Sequence, residues 1–408
     1  MDLRITPHRL SGAVNIPASK SMAHRAIICA ALSEGHSSLS NVTFSKDIHA
    51  TLSVMQALGA AFTIHGDRIE LDGIRKPAVQ ATADCCESGS TLRFLIPVAA
   101  ALGTKTTFLG QGRLPERPIT PYLRELPPKG VTFDVEGTMP FTIEGRLSPG
   151  IFELEGDISS QFITGLLLAL PLLKGDSELR MLSPLQSKPY ADMTIDCMKR
   201  FGVEVTETEQ GYHIPGNQRY QACDLAVEGD FSQAAFFFAA NALGSDVKLQ
   251  NIPEKSVQGD RKIVEILGEM WYNSKEELCI DAQDIPDLVP IMAVAASLCP
   301  RSVRIYGAER LRIKESDRLE TTAALLRTLG GSVEITPDGL RIASVPAFTG
   351  GEVDSAGDHR IAMCAAIAAT RASGEVIIRG AECVEKSYPA FFEDYQSLGG
   401  VANGIHLE

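Results

Sequence analysis

The chain has no hydrophobic run long enough to cross a membrane. Its most apolar stretch, Phe162 to Leu173, is broken by Pro171 and falls well short of the roughly 20 residues a spanning helix needs. Positive charge is also scarce, with 38 Lys and Arg against 51 Asp and Glu and a net charge of −13. That balance argues against nucleic-acid and anionic-membrane partners, which demand clustered Lys and Arg. The nine cysteines are scattered, with no C-x-x-C pair and no Cys/His zinc spacing, so reduced thiols are expected. P-loop, G-x-G-x-x-G, H-E-x-x-H and G-x-S-x-G patterns are all missing, and the histidines show no metal-ligand spacing. The residues Met1-Asp2-Leu3-Arg4 run into a Leu/Ile alternation without signal or transit character. A cytoplasmic protein with metal-free chemistry is the expectation.

What is present is a repeat. Hydrophobic content of 44% over 408 residues fits a globular chain of two or three domains at about 150 residues each. Six polar clusters each open an apolar run: Ser19-Lys20-Ser21, Ser88-Gly89-Ser90, Ser159-Ser160-Gln161, Asp230-Phe231-Ser232, Asp287 and Asp358-His359-Arg360. Ser and Asp at these openings read as N-caps, and helices apolar nearly all round read as buried. Interleaved amphipathic segments end on Gly59, Gly130, Gly202, Gly268, Gly330 and Gly399, with spacings of 62 to 72 residues. Glycine there reads as the left-handed cap of a helix; the copy at Pro127-Pro128-Lys129-Gly130 is degraded. Stretches such as 61–71, 203–214 and 332–342 read as β-rich. Six units of about 70 residues predict an α/β chain. They group into two domains, each three copies of a βαβαββ-type unit around buried helices.

Helix N-termini attract anions through free N–H groups and a partial positive charge, and basic residues surround these openings. Lys20 precedes the first helix, while Ser21 and Arg25 are spaced to share a face. Gly89 would let a backbone approach a ligand, with Arg93 following. Arg117 stands rigidly between Pro115 and Pro118. Lys314 and Arg318 read as one helical turn apart with Glu315 beside them, suited to an anion clamp next to a general acid or base. Arg360 opens a buried helix, where its charge needs a partner, and Lys386 precedes Ser387-Tyr388-Pro389. Chemistry built from Lys, Arg, Glu and Asp around a small polyanionic substrate is the reading.

Taken in order, Pro17-Ala18-Ser19-Lys20-Ser21 with Arg25, Glu116-Arg117-Pro118-Ile119, Ser159-Ser160-Gln161, Ser187-Lys188-Pro189-Tyr190, Lys314-Glu315-Ser316-Asp317-Arg318 and Asp358-His359-Arg360 resemble the EPSP synthase (3-phosphoshikimate 1-carboxyvinyltransferase) family of enolpyruvyl transferases over essentially the whole chain. The resemblance implies an inside-out α/β barrel in each of two domains, 14–227 on the shikimate 3-phosphate side and 1–13 with 228–408 on the phosphoenolpyruvate side. A hinge near 13–14 and 226–228 would close a cleft on substrate. It implies transfer of the enolpyruvyl group of phosphoenolpyruvate to the 5-hydroxyl of shikimate 3-phosphate, releasing phosphate, in a monomer without cofactor, metal or nucleic-acid partner. Implied shikimate 3-phosphate ligands are Lys20, Ser21, Arg25, Ser159, Ser160, Gln161, Ser187, Tyr190, Asp287 and Lys314. Implied phosphoenolpyruvate ligands are Lys20, Gly89, Arg117, Gln161, Arg318, His359, Arg360 and Lys386.

Asp287 and Glu315 would carry protons, Asp287 at the attacking hydroxyl with Lys20 nearby and Glu315 at the methylene carbon. The chain departs from the family pattern at Arg310, where Asn is frequent, and at Glu87, which replaces an Asn beside Gly89. Both bear on inhibitor response at the glyphosate-type site. Two other readings stand: the sister enzyme acting on UDP-N-acetylglucosamine, whose reactive loop Cys has no counterpart in 110–121, and a non-catalytic anion-binding paralogue, against which intact Lys20, Asp287, Glu315 and Lys386 argue.

Overall fold

The computed structural model describes residues 1–135, 138–273 and 275–405. The chain forms two compact units, one of Met1–Pro17 with Gly229–Glu408 and one of Ala18–Glu228. The first junction follows residue 17 because strand Ser11–Asn15 pairs in parallel with Asp246–Gln250. Residues 14 and 15 thus belong with the C-terminal half, whereas the resemblance implied a change at 13–14.

Among the described residues, five four-stranded sheets share one wiring. In the sheet that contains Gln80–Asp84, this strand runs parallel to Lys105–Leu109. The latter pairs antiparallel with Phe141–Gly145, the second strand of a hairpin whose first strand, Val131–Val135, lies at the edge. A parallel pair needs a crossover, and the helix Gly89–Leu102 supplies it. The sheets led by Ile151–Leu154 and Glu277–Asp281 repeat the pattern. In the sheet led by Gly351–Asp354 the N-terminal strand Asp2–Thr6 stands in the hairpin position, so the chain's start completes its last sheet. Leu225–Ala226 likewise completes the sheet of His36–Ser40. The strands 11–15 and 246–250 form a two-stranded sheet without a hairpin.

The apolar helices are buried in two separate cores. All eleven residues of His359–Ala369 are buried, at about 1.5–3 kcal/mol for each large side chain. The caps follow the reading at Ser19, Ser88, Ser159, Asp230 and Asp358, each accepting a hydrogen bond from the first-turn backbone. Asp287 does not cap. It lies in the 3-10 turn Pro286–Leu288 ahead of the helix Val289–Leu298, with its carboxylate given to arginines. Of the six predicted cap glycines, Gly268 differs: the helix Ile263–Tyr272 runs through it, and Asn273 is the cap. The others, Gly59, Gly130, Gly202, Gly330 and Gly399, all have positive φ, which side chains other than Gly resist.

Among the described residues no helix is long and apolar enough to cross a membrane.

Candidate active site

In the Ala18–Glu228 unit, Arg25 is 2% exposed on the helix Lys20–Leu32. Its Nε donates to Thr194 Oγ1 at 2.8 Å, Nη1 to the Ser21 carbonyl at 2.7 Å, and Nη2 to Thr164 Oγ1 at 3.2 Å and the Tyr190 carbonyl at 2.9 Å. Its guanidinium also stands 5.1 Å over the Phe94 ring. All four acceptors are neutral oxygens. Burial lowers its pKa to about 10, so it keeps its charge at neutral pH, with no ion-pair partner among the described residues. Lys20 instead donates to Asp47 Oδ2 at 2.8 Å.

The next helix is built around a deliberate gap. Pro97 cannot donate to the Arg93 carbonyl, which instead lies 2.7 Å from the Tyr122 hydroxyl. Gly165 lets the two helices approach, since a Cβ there would sit 2.3 Å from both that carbonyl and that hydroxyl. Arg93 is thereby fixed and donates to Gln161 Oε1 at 2.7 Å, while Gln161 Nε2 donates to Ser90 Oγ at 3.0 Å. Ser159 and Ser160 begin the same helix as Gln161. At Gly89 a Cβ would meet Arg117 Nη1 at 2.6 Å, so the arginine lies flat on the helix entry, 9% exposed. A solvated turn is excluded for Arg117. Ser187, 2% exposed, has φ +58° at the start of Lys188–Arg200 and no side-chain cap bond. Strain of about 1–3 kcal/mol at a non-glycine residue of this kind is a mark of functional positions.

In the other unit the charges are dense. Arg318, 2% exposed, donates from Nη1 to Asp287 Oδ1 at 2.9 Å, from Nη2 to Glu315 Oε2 at 2.8 Å, and from Nε to Asp358 Oδ2 at 2.8 Å. Arg360 donates from Nη2 to Asp287 Oδ2 and from Nη1 to the Asp287 carbonyl, both at 3.0 Å. Lys314 Nζ lies 3.8 Å from Asp287 Oδ1. Burial alone would raise the Asp287 pKa, but Arg360, Lys314 and Arg318 outweigh it and hold the carboxyl well below the usual carboxylate range. Burial likewise works to lower the Arg318 pKa, and Asp358, Glu315 and Asp287 together raise it instead. Asp358 caps the helix that carries Arg360 through the Arg360 N–H, and accepts from Ser316 Oγ at 3.0 Å.

The predicted residues fall into two sets. Lys20, Ser21, Gly89, Arg117, Ser159, Ser160, Gln161, Ser187, Tyr190 and Arg25 lie in Ala18–Glu228, and Asp287, Lys314, Glu315, Arg318, His359, Arg360 and Lys386 in the other unit. Asp287, Lys314, Glu315, Arg318 and Arg360 are brought together, as are Ser21, Arg25 and Tyr190. His359 is buried at its helix start, and buried Lys386 ends the 3-10 segment Ala381–Lys386. Lys314 and Arg318 do not share a helical turn: the helix begins at Arg318, capped by Asp317, and Lys314 lies in the loop before it. Arg310 donates from Nη2 to the Gln283 carbonyl at 2.7 Å. Sequence reading missed Asp47 as the partner of Lys20 and Asp358 as that of Arg318. An acid at a helix start reads as ordinary capping, and only tertiary contact reveals the pairing.

Buried arginines near helix entries, with three carboxylates held on one guanidinium, are the setting of an enzyme class that handles small polyanions. The comparisons give that class a family. The family model described as EPSP synthase (3-phosphoshikimate 1-carboxyvinyltransferase) matches residues 5–395. A 3-phosphoshikimate 1-carboxyvinyltransferase of Clostridium perfringens is 45% identical, covering 98% of this chain and 99% of its own. One of Clostridium beijerinckii is 43% identical, covering 98% of each. The solved EPSP synthase of Acinetobacter baumannii superposes with a TM-score of 0.82 at 25% identity, covering 99% of this chain and 100% of its own. The chain belongs to the EPSP synthase family.

Proposed function

We propose that the chain transfers the enolpyruvyl group of phosphoenolpyruvate to the 5-hydroxyl of shikimate 3-phosphate, releasing inorganic phosphate, on the route to chorismate and the aromatic amino acids. One observation carries the reading. Two carboxylates of different setting, Asp287 and Glu315, share the buried guanidinium of Arg318, with Arg360 and Lys314 on Asp287.

The reaction needs such a pair. The hydroxyl oxygen bonds to C2 of phosphoenolpyruvate and loses its proton, while the methylene carbon gains one, giving a tetrahedral intermediate. Breaking the C–O bond to phosphate and removing a proton from the new methyl group then restores the double bond. Asp287 serves the hydroxyl and Glu315 the carbon; two carboxyls in unlike environments can take opposite roles. Substrate phosphate and carboxylate groups compete for Arg318 and Arg360, and so loosen both carboxylates for proton work.

Ser21, Arg25, Ser159, Ser160, Gln161, Ser187, Tyr190 and Lys314 hold shikimate 3-phosphate in this reading, the buried charge of Arg25 facing its carboxylate. Lys20, Gly89, Arg117, Arg318, His359, Arg360 and Lys386 hold phosphoenolpyruvate. Each unit is three copies of one βαβαββ module closed as an inside-out barrel, a reading supported by the wiring that five sheets share. A phosphate-release assay tests the function. Release with phosphoenolpyruvate and shikimate 3-phosphate supports it, release only with UDP-N-acetylglucosamine replaces it with the sister reaction, and silence with both leaves an anion-binding protein.

A further inference from the structure

Three buried polar atoms near the first turn of the helix Phe231–Ala242 have no hydrogen-bond partner: Ser232 Oγ, Gln233 Oε1 and Asp260 Oδ1. Asp260 is 5% exposed in the 3-10 turn Gly259–Lys262, whose Arg261 and Lys262 are exposed. The charged groups that act on it come from three other elements: Asp287 from the turn 286–288, Arg360 from the helix 359–369, and Asp230 from the cap of 231–242, the two aspartates disfavouring its charge and Arg360 favouring it. Asp230 already accepts from the Ser232 and Gln233 backbone amides. The neighbouring Ser232 hydroxyl and Arg360 favour the ionised form of Asp260, and burial outweighs them. A buried carboxylate with an unsatisfied oxygen and two acidic neighbours is costly when ionised, and the neutral acid is much less so.

We propose that Asp260 is the protonated companion of the Asp287–Arg360 pair, a positioning residue whose neutral carboxyl leaves Arg360 to Asp287. When Asp260 gives its proton to solvent, the new charge repels Asp287 and draws on Arg360, and Asp287 loses its alignment. Burial first, and then the charge of Asp287, push the Asp260 carboxyl up to about 7, so the change falls near neutral pH. The proposal rests on the reading of Asp287 as a proton carrier.

The test is the pH profile of kcat/KM for phosphoenolpyruvate in the wild type and in Asp260→Asn. The wild type is expected to lose activity as pH rises through about 7, and the variant, permanently neutral, to lose that limb. A variant that keeps the limb, or one depressed equally at every pH, overturns the proposal. A second measurement uses no substrate and no variant: an infrared titration of the wild type. Loss of a protonated-carboxyl band through the same window supports the proposal, and the lack of any such change overturns it. Because that titration is independent of turnover, failure of the enolpyruvyl reading shows as absent phosphate release while the band still titrates through the same window.

Discussion

Arg25 and Arg318 are equally buried, each 2% exposed, yet they are surrounded in opposite ways. Arg25 is caged by two threonine hydroxyls and two carbonyls; Arg318 is gripped by three carboxylates. The cage fixes orientation and leaves the charge uncancelled, so an incoming anion meets an unopposed cation. The grip cancels the charge in advance, so an anion must compete, and competition alters the carboxylates. In the proposed reading one unit binds, and the other binds and moves protons.

The sharpest break in that comparison is chemical. Glu315→Gln is expected to lower kcat by about 10²–10⁴-fold, the usual contribution of a general acid or base, with little change in phosphoenolpyruvate dissociation measured by calorimetry. Near-wild-type turnover would remove Glu315 from the chemistry. Stability comes next. Arg318→Gln strands buried carboxylates, and about 3–5 kcal/mol of unfolding free energy is expected to be lost in urea titrations. Arg25→Gln strands no carboxylate and is expected to lose clearly less; equal losses would erase the distinction between cage and grip.

Affinity follows. Arg25→Gln is expected to weaken shikimate 3-phosphate binding by roughly ten- to a hundredfold, the worth of a charge-assisted hydrogen bond of about 1.5–3 kcal/mol, while the phosphoenolpyruvate KM holds. Gly89→Ala places a methyl 2.6 Å from Arg117 Nη1, so the guanidinium must shift. A raised phosphoenolpyruvate KM at unchanged Tm is the expected result.

The smallest effect is in acid. Asp287 has a depressed folded-state pKa. Its contribution to stability is therefore complete above the unfolded carboxylate value of about 3.9 and is lost as pH falls toward the folded value. Asp260 has the opposite sign: its folded pKa is raised to about 7, so its contribution is present below about 3.9 and is lost as pH rises through 7. Asp260→Asn is expected to flatten the second slope in urea titrations across pH and to leave the first.

The features legible in sequence were those with local causes. Ser88 and Asp358 cap helices because each offers an oxygen to the first free amides, and Gly330 ends a helix because its φ is +82°. Gly268 misled because a Leu-Gly pair in an apolar segment looks like a stop, whereas the helix keeps its hydrogen bonds through Tyr272. Asp287 looked like a cap and is a salt-bridge partner, since its arginines arrive from residues 318 and 360. Asp260 was illegible: the run Asp260-Arg261-Lys262 reads as a solvated charge cluster, and only the packed turn puts the first of the three inside. The role proposed for Asp287 came from family motifs, whereas the charge cluster around Lys314 and Arg318 had already marked Glu315.

The central claim is most directly tested by product identity. Incubated with phosphoenolpyruvate and shikimate 3-phosphate and analysed by mass spectrometry, the protein is expected to convert shikimate 3-phosphate into its carboxyvinyl ether, one inorganic phosphate appearing for each ether formed. Phosphate appearing without the ether, or shikimate 3-phosphate returned unchanged, would contradict the account.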